Sequence, residues 1–346
     1  MMKKPSARFF VLVFSLAWFM WGCSPQSSPI SATDLAATSE TILSEPTALQ
    51  PTDPTPTQLT NASSQPAPSP IEVTDGLERR VSLAAPAQRI VSMAPSNTEI
   101  LFAIGAGEQV VGRDEFSDYP VEASSILSIG GGFGDYNNEA IVNLQPDLVM
   151  AAEINTPEQV KALEDLGINV FYLANPTSLD EMYSNLLIVA QLTGHETEAA
   201  SLIDSLKSRV TAVEEKMREV AERPRVFYEL DATDPNAPYT AAAGTFIDTL
   251  IGMAGGENIA HDMGGQYIQV SAEELLVRNP RIILLGDAAY GITPEVVSAR
   301  PGWEAIEAIK EQQIYAFDDN LVSRPGPRLV DGLEILAMLL HPELFK

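Results

Sequence analysis

A short pattern occurs twice in this chain. The first copy runs Glu139-Ala-Ile-Val-Asn-Leu-Gln-Pro146-Asp-Leu-Val-Met, the second Glu273-Glu-Leu-Leu-Val-Arg-Asn-Pro280-Arg-Ile-Ile-Leu. In each, a Glu opens a short apolar-periodic helix, a Pro stands seven residues later, and an aliphatic run follows that reads as a buried strand. Proline disfavours helix in the residue before it, so each Pro marks the switch from helix to strand. Copies about 134 residues apart predict two lobes of similar design, each with one Glu at a corresponding place. Either Glu alone could be a first-turn residue favoured by the helix dipole; the matched pair points to a shared role.

A chain of 346 residues with 45% hydrophobic content is long enough for one large domain or two smaller ones. Its net charge of -26 excludes a nucleic-acid partner, whose phosphates demand Lys and Arg. The single cysteine, Cys23, forms no internal disulfide, and the three histidines (His195, His261, His341) do not cluster. No His/Cys metal site is therefore expected.

Lys3, Lys4 and Arg8 form a positive start, and Phe9 to Trp21 is apolar apart from Ser15. This reads as a secretory signal, too short to span a membrane as an ordinary helix. The Cys that follows it resembles the lipobox of bacterial lipoproteins, with Met20-Trp21 where that family carries Leu and a small residue. The resemblance implies diacylation of Cys23 after removal of residues 1–22. From Ser24 to Pro70 the chain is Ser, Thr, Pro, Ala and Gln, with few large apolar residues. Such a segment forms no core. As a flexible tether it would reach roughly 40 Å.

The rest alternates strand and helix patterns, which predicts an α/β layer with parallel pairing. Ile71 to Leu83 reads as a hairpin around Asp75-Gly76. Ser96 or Asn97 is expected to cap the helix that ends near Ile104. A helix over Ser178 to Leu192 is broken by Gly194, and a second runs from about Glu196 to Glu222 with one apolar face. That second helix, ~40 Å long at ~1.5 Å per residue, would hold two lobes at a nearly fixed angle. In the second lobe, Asp231 to Ala243, His261 to Gln269 and Asp318 to Arg328 read as loops, and Pro301 to Ile309 as helix. The expected layout is an N-terminal lobe over 71–177, connecting helices over 178–223 and a C-terminal lobe over 224–346.

Ligands of open α/β sheets bind beyond the carboxyl ends of the strands. The loops there carry Pro95 and Ser96, Arg113 to Phe116, Phe133, Ala152, Tyr239, Tyr267, and Asn320 to Arg324. A cleft with such a lining suits a large, partly apolar small molecule. No nucleophile elbow, His-Glu-x-x-His helix or phosphate loop is present. Gly130 to Gly134 lacks the lysine of a phosphate loop and reads as a flexible loop. Glu139 and Glu273 begin helices in separate lobes, whereas carboxylates that cooperate on one bond lie within about 10 Å. No catalytic residue is assigned.

From Gln88 onward the chain resembles the cobalamin- and iron-complex-binding proteins of ABC importers, the class III periplasmic binding proteins with two Rossmann-like lobes joined by a single long helix. The matching stretches are Arg89-Ile-Val-Ser-Met-Ala-Pro-Ser-Asn-Thr-Glu99, Phe116-Ser-Asp-Tyr-Pro120, Glu139 to Val149, and Val270-Ser-Ala-Glu273 to Pro280. Ser117-Asp-Tyr-Pro120 looks most like the cobalamin-binding branch. The resemblance implies that Glu139 and Glu273 dock on arginines of the permease dimer, which works with its ATPase subunits. It places Phe116 and Phe133, then Tyr239 and Tyr267, at the ligand; Ala152 stands where a cobalamin binder carries another aromatic. Pro95 and Ser96 join the ligand set, and Arg113 and Arg324 could serve an anionic chelate or haem propionates. The reading is a monomeric, lipid-anchored, extracytoplasmic receptor for a corrinoid, with no cofactor of its own. A ferric siderophore or haem in the same role is the first alternative; a tethered surface enzyme or adhesion module is the second.

Overall fold

The computed structural model describes residues 70–132 and 135–346. The expected signal, Cys23, the tether and Phe133 lie outside the described residues. The first lobe opens with strands β1 (Ile71–Thr74) and β2 (Arg80–Leu83), an antiparallel hairpin. Its Asp75-Gly76 turn is closed by the Asp75 carboxylate, which accepts from the backbone N–H groups of Leu77 and Arg79. There follow β3 (Ile90–Ser92), α1 (Pro95–Ala103), β4 (Val110–Arg113), α2 (Asn138–Asn143), β5 (Leu148–Ala152), α3 (Pro157–Glu164) and β6 (Val170–Leu173). Helices α4 (Leu179–Thr193) and α5 (Glu196–Met217) carry the chain to the second lobe. That lobe contains β7 (Arg225–Glu229), β8 (Tyr239–Ala241), α6 (Phe246–Met253), β9 (Glu257–Asn258), β10 (Tyr267–Gln269), α7 (Ala272–Arg278) and β11 (Ile282–Leu285). It ends with α8 (Pro294–Ser298), α9 (Glu307–Lys310), β12 (Ile314–Ala316), α10 (Asn320–Ser323) and α11 (Leu329–Leu340).

The two main sheets share one topology. Both are four-stranded and parallel, in the orders β4-β3-β5-β6 and β9-β7-β11-β12. Numbered within its own lobe, each sheet runs second, first, third, fourth. The repeat seen in the sequence is thus a repeat of architecture.

Alternation along the strands decides which core each residue enters. Ile90, Leu148, Met150, Phe171, Val226, Tyr228, Ile282 and Leu284 point into one large cluster with α1, α4, α5, α6 and α11. Their neighbours Val91, Val149, Ala151 and Tyr172 belong to a core private to the first lobe. Phe227, Ile283 and Leu285 belong to a core private to the second. Strands buried on both faces read as continuous aliphatic runs, as these do. Because the large cluster is continuous through α4, α5 and α11, the two lobes share a core instead of meeting across a surface.

Several local expectations are corrected. Helix α1 starts on Pro95, with Ala94 as a cap that makes no side-chain bond. Ser96 and Asn97 lie inside the helix, where the Asn97 amide donates to the Met150 carbonyl at 3.1 Å. Proline at the first helical position presets the backbone and needs no side-chain cap. Helix α5 ends at Met217, before Pro224 would disfavour it, and is ~33 Å long at 1.5 Å per residue. Residues expected as loops hold β8 and β10, which pair antiparallel, and the single-turn α10. Of 301–309 only the part from Glu307 onward is α-helical, the start of α9, and α8 precedes it.

The lobes are also tied by charge. Glu99 of α1 is 2% exposed and receives two arginines from the approach to α11. Arg328 donates to both of its oxygens at 2.8 and 2.5 Å, and Arg324 donates at 2.9 Å. Arg324 also reaches Asp118 at 2.8 Å and the Phe116 carbonyl at 3.3 Å. The Arg328 guanidinium lies over the Tyr119 ring, 4.0 Å from its centroid. Removing one partner of a buried ion pair costs about 3–5 kcal/mol, because the remaining charge stays desolvated. Glu99→Ala should therefore lower the melting temperature by roughly 5–15 °C. Both lobes should still unfold in one calorimetric transition; two separated transitions would show that the shared core does not couple them.

Candidate functional site

Pro95 is half-buried and Ser96 buried in the first turn of α1. The Arg113 guanidinium donates to four backbone carbonyls, those of Asp114, Glu115, Ala123 and Ser124, at 2.8 to 3.3 Å. It thereby braces the loop that carries Phe116. Phe116 is 42% exposed, and its ring lies 3.1 Å from where a Cβ on Gly132 would stand. Gly130, Gly131 and Gly132 take φ values of +83°, +89° and +64°, a left-handed path that suits glycine. A Cβ on Gly131 would stand 2.5 Å from the Tyr136 ring. Tyr136 is itself fixed, donating to the Met93 carbonyl and accepting from Asn155, both at 2.8 Å.

In the second lobe, Tyr239 and Tyr267 stand at diagonal positions of the β8–β10 pair, 45% and 62% exposed. Burial of its hydroxyl, and then the charge of Asp319, raises the pKa of Tyr267. Arg324 joins the lobes through Glu99 and Asp118. The structure thus brings Phe116 and Arg324 together, keeps the two tyrosines on one small sheet, and commits both expected anion-binding arginines to internal partners.

Among the sequence expectations Asp114 enters only within Arg113 to Phe116, and the carboxylates at this level are not singled out. Asp114, directly after β4, is 1% exposed, and its Oδ1 has no hydrogen-bond partner among the described residues. Burial raises its pKa, and its charge, after burial itself, helps push Tyr136 up to about 12. Asp319 accepts from the Tyr228 hydroxyl at 2.8 Å, and burial raises its pKa too. Asp287 follows β11, is 4% exposed, and neither of its oxygens meets a donor among the described residues. Glu229, at the end of neighbouring β7, is ion-paired with Arg300 through two bonds. Burial first, and the Glu229 charge second, push the Asp287 carboxyl up to about 7. Tyr290 stands 84% exposed on the same loop. The one available signal was position, since Asp287 and Tyr290 directly follow a buried aliphatic strand.

Glu139 and Glu273 sit on mounts that match in cap, anchor, exit and clamp. Both are exposed in the first turn of a short helix, capped by Asn137 on α2 and Ser271 on α7. Two residues on, Ile141 and Leu275 are fully buried in the private cores. Six residues on, Gln145 and Asn279 take φ of +47° and +46°. An arginine aligned with the first strand of each sheet grips the helix end. The Nε atom of Arg89 donates to the Leu144 and Gln145 carbonyls at 3.1 and 3.3 Å, and that of Arg225 to the Arg278 and Asn279 carbonyls at 3.1 and 3.0 Å. Neither glutamate has an ion pair among the described residues, whereas Glu274 is held by Arg278 at 2.6 Å.

Residues 90–321 match the model of the family described as periplasmic binding protein. The chain belongs to that family. An uncharacterized ABC transporter substrate-binding lipoprotein of Bacillus subtilis, YvrC, is 33% identical over 282 residues, 80% of this chain and 87% of the relative. Among solved structures, the periplasmic haem-binding protein RhuT of Roseiflexus is 29% identical with a TM-score of 0.67, covering 75% of this chain and 99% of that one. The periplasmic vitamin B12-binding protein BtuF of Vibrio cholerae is 28% identical with a TM-score of 0.63, at the same coverages. This periplasmic binding protein is an extracytoplasmic substrate-binding component of an ABC transporter of the B12, haem and siderophore type, and not an enzyme.

A cavity of ≈ 660 Å³ opens at the β9 edge beside Arg223, Asp248, His261 and Arg278. It lies away from the Glu99 joint, and strand-end geometry is the better guide to the ligand.

The raised Asp287 pKa has a definite consequence for stability. The folded chain holds this proton up to about pH 7, whereas an unfolded Asp releases it near pH 3.9. The folded state therefore binds more protons in that window, and the group's contribution falls as pH rises from about 4 to 7. Asp287→Asn removes a buried charge without a donor, a gain of about 1–3 kcal/mol. Its melting temperature should exceed that of the parent by about 2–6 °C at pH 8 and by nearly nothing at pH 5. An equal shift at both pH values would show that Asp287 is not held protonated.

Proposed function

We propose that this protein captures a corrinoid between its lobes and delivers it to the permease of an ABC importer. The observation that carries the ligand class is the charge balance at the strand ends. Phe116, Tyr239 and Tyr267 offer exposed aromatic surface; the buried Asp114 accepts from the Phe116 backbone, and the half-buried Asp319 acts on Tyr267. The nearby guanidinium groups, Arg113 and Arg324, already serve carbonyls and carboxylates. Such a surface receives hydrogen-bond donors. A corrin ring fringed with amides supplies them, whereas haem propionates or an anionic ferric chelate would meet guanidinium groups already engaged by internal partners. The B12-binding relative of known structure supports this reading. Haem, the ligand named for RhuT, is the second reading and requires Arg324 to leave Asp118.

Glu139 and Glu273 are read as the docking carboxylates, one per lobe, for cationic side chains of a two-fold permease with its ATPase subunits. Charge-assisted pairs of this kind set orientation well. Cys23 is read as the lipid attachment point, with residues 1–22 as signal and 23–70 as tether, a reading supported by the lipoprotein name of YvrC. The receptor acts as a monomer.

Calorimetric titration of the chain lacking residues 1–22, with Cys23→Ser, tests the ligand. Cyanocobalamin or cobinamide should bind one-to-one, and Tyr267→Ala should weaken that binding about tenfold. Tight binding of haemin or a ferric siderophore, with no corrinoid binding, would move the assignment to the second reading. Docking is tested separately: Glu139→Arg with Glu273→Arg should abolish uptake in cells and leave ligand affinity unchanged. A loss of affinity in that variant would place the pair in the ligand site instead.

A further inference from the structure

The two mounts are alike beyond their glutamates. Three residues after each Glu, one helical turn along, stands an exposed aliphatic side chain: Val142 at 41% and Leu276 at 37%. Ile141 and Leu275 anchor their helices in the private cores, so the fold does not need these neighbours to be apolar. Single exposed aliphatic residues are ordinary on any surface. Here the same offset recurs on two helices that share an anchor, a left-handed exit and an arginine clamp. The next position breaks the match. The second lobe has Val277, 78% exposed, where the first has Asn143, also exposed.

We infer that each lobe docks through a carboxylate set beside an aliphatic contact, Glu139 with Val142 and Glu273 with Leu276 and Val277, and that the second lobe supplies the larger apolar share. The inference rests on the reading of these helices as the permease-docking face. The partner it fits is a membrane dimer offering two like sites, each a basic side chain beside an apolar surface. Residues three and four apart on a helix share a face, so one partner surface can cover both elements of each contact. The two elements respond differently to salt. Exposed charge pairs are screened as ionic strength rises, whereas burial of aliphatic surface is not weakened in that way. Docking should therefore keep a salt-resistant remainder.

The experiment measures binding of the ligand-loaded, lipid-free chain to the permease–ATPase complex through which the source organism imports cyanocobalamin, held in nanodiscs, at low and high sodium chloride. The variants are Val142→Ser, Leu276→Ser with Val277→Ser, and Glu139→Arg with Glu273→Arg as the charge control. All are checked for an unchanged melting temperature and unchanged cyanocobalamin affinity. The expected result is about a tenfold loss for Leu276→Ser with Val277→Ser, a smaller loss for Val142→Ser, and steeper salt dependence in both than in the parent. If the charge control abolishes binding while the serine variants bind like the parent, the aliphatic contact is refuted and the docking reading stands. If neither set changes binding, both fall. If the serine variants bind more weakly but keep the parent's salt dependence, the two-element contact is likewise refuted.

Discussion

One buried carboxylate holds the two halves of this protein in register. Glu99 belongs to the first lobe, yet its partners Arg324 and Arg328 belong to the second. A buried ion pair is weak evidence of net stability, because its attraction is offset by desolvation. Its value here is geometric. Two guanidinium groups that share one carboxylate fix direction as well as distance, and stacking of Arg328 on Tyr119 fixes the plane. Arg209 of α5 adds a second tie, bonding Asp331 and Glu334 of α11 at 2.5 and 2.6 Å. With the continuous core beneath, the joint behaves as a brace. Opening by a wide hinge motion would have to break these bonds and expose the shared core together.

Much of the fold was legible because period and punctuation agreed. The Glu-to-Pro repeat, the aliphatic strands, and Gly194 at φ +80° after α4 each have one structural solution. The misses are of two kinds. Strands β8 and β10 are three residues each, too short for alternation to show. The other kind is contact between residues distant in sequence: Glu99 meets Arg328 across 229 positions, and no local pattern announces it.

The exposure of the candidate aromatics was legible in the sequence, and the environment of the charges was not. Phe116, Tyr239 and Tyr267 stand out by residue type. Whether an arginine is available to a ligand depends on what it already touches, and Arg113 and Arg324 are both engaged. Asp287 illustrates the converse. In the sequence it is one of 47 acidic residues; burial beside the Glu229–Arg300 pair gives it a pKa of about 7. Environment, more than residue identity, sets the charge that a ligand meets.

The repeat also relates the ligand surface to the docking surface. Each mount helix is followed within a few residues by the third strand of its sheet, and the chain reverses at a left-handed residue and a proline. A helix that reverses into a strand starts near that strand's far end. Glu139 and Glu273, in the first turns of α2 and α7, therefore lie toward the C-terminal ends of the strands, where ligands of such sheets bind. On the reading proposed above, docking and ligand capture share one end of the molecule. Private cores hold the mounts and a shared core holds the lobes, so the separation of the two glutamates is set by the fold itself. A partner with two fixed cationic sites can recognise that separation before any ligand moves.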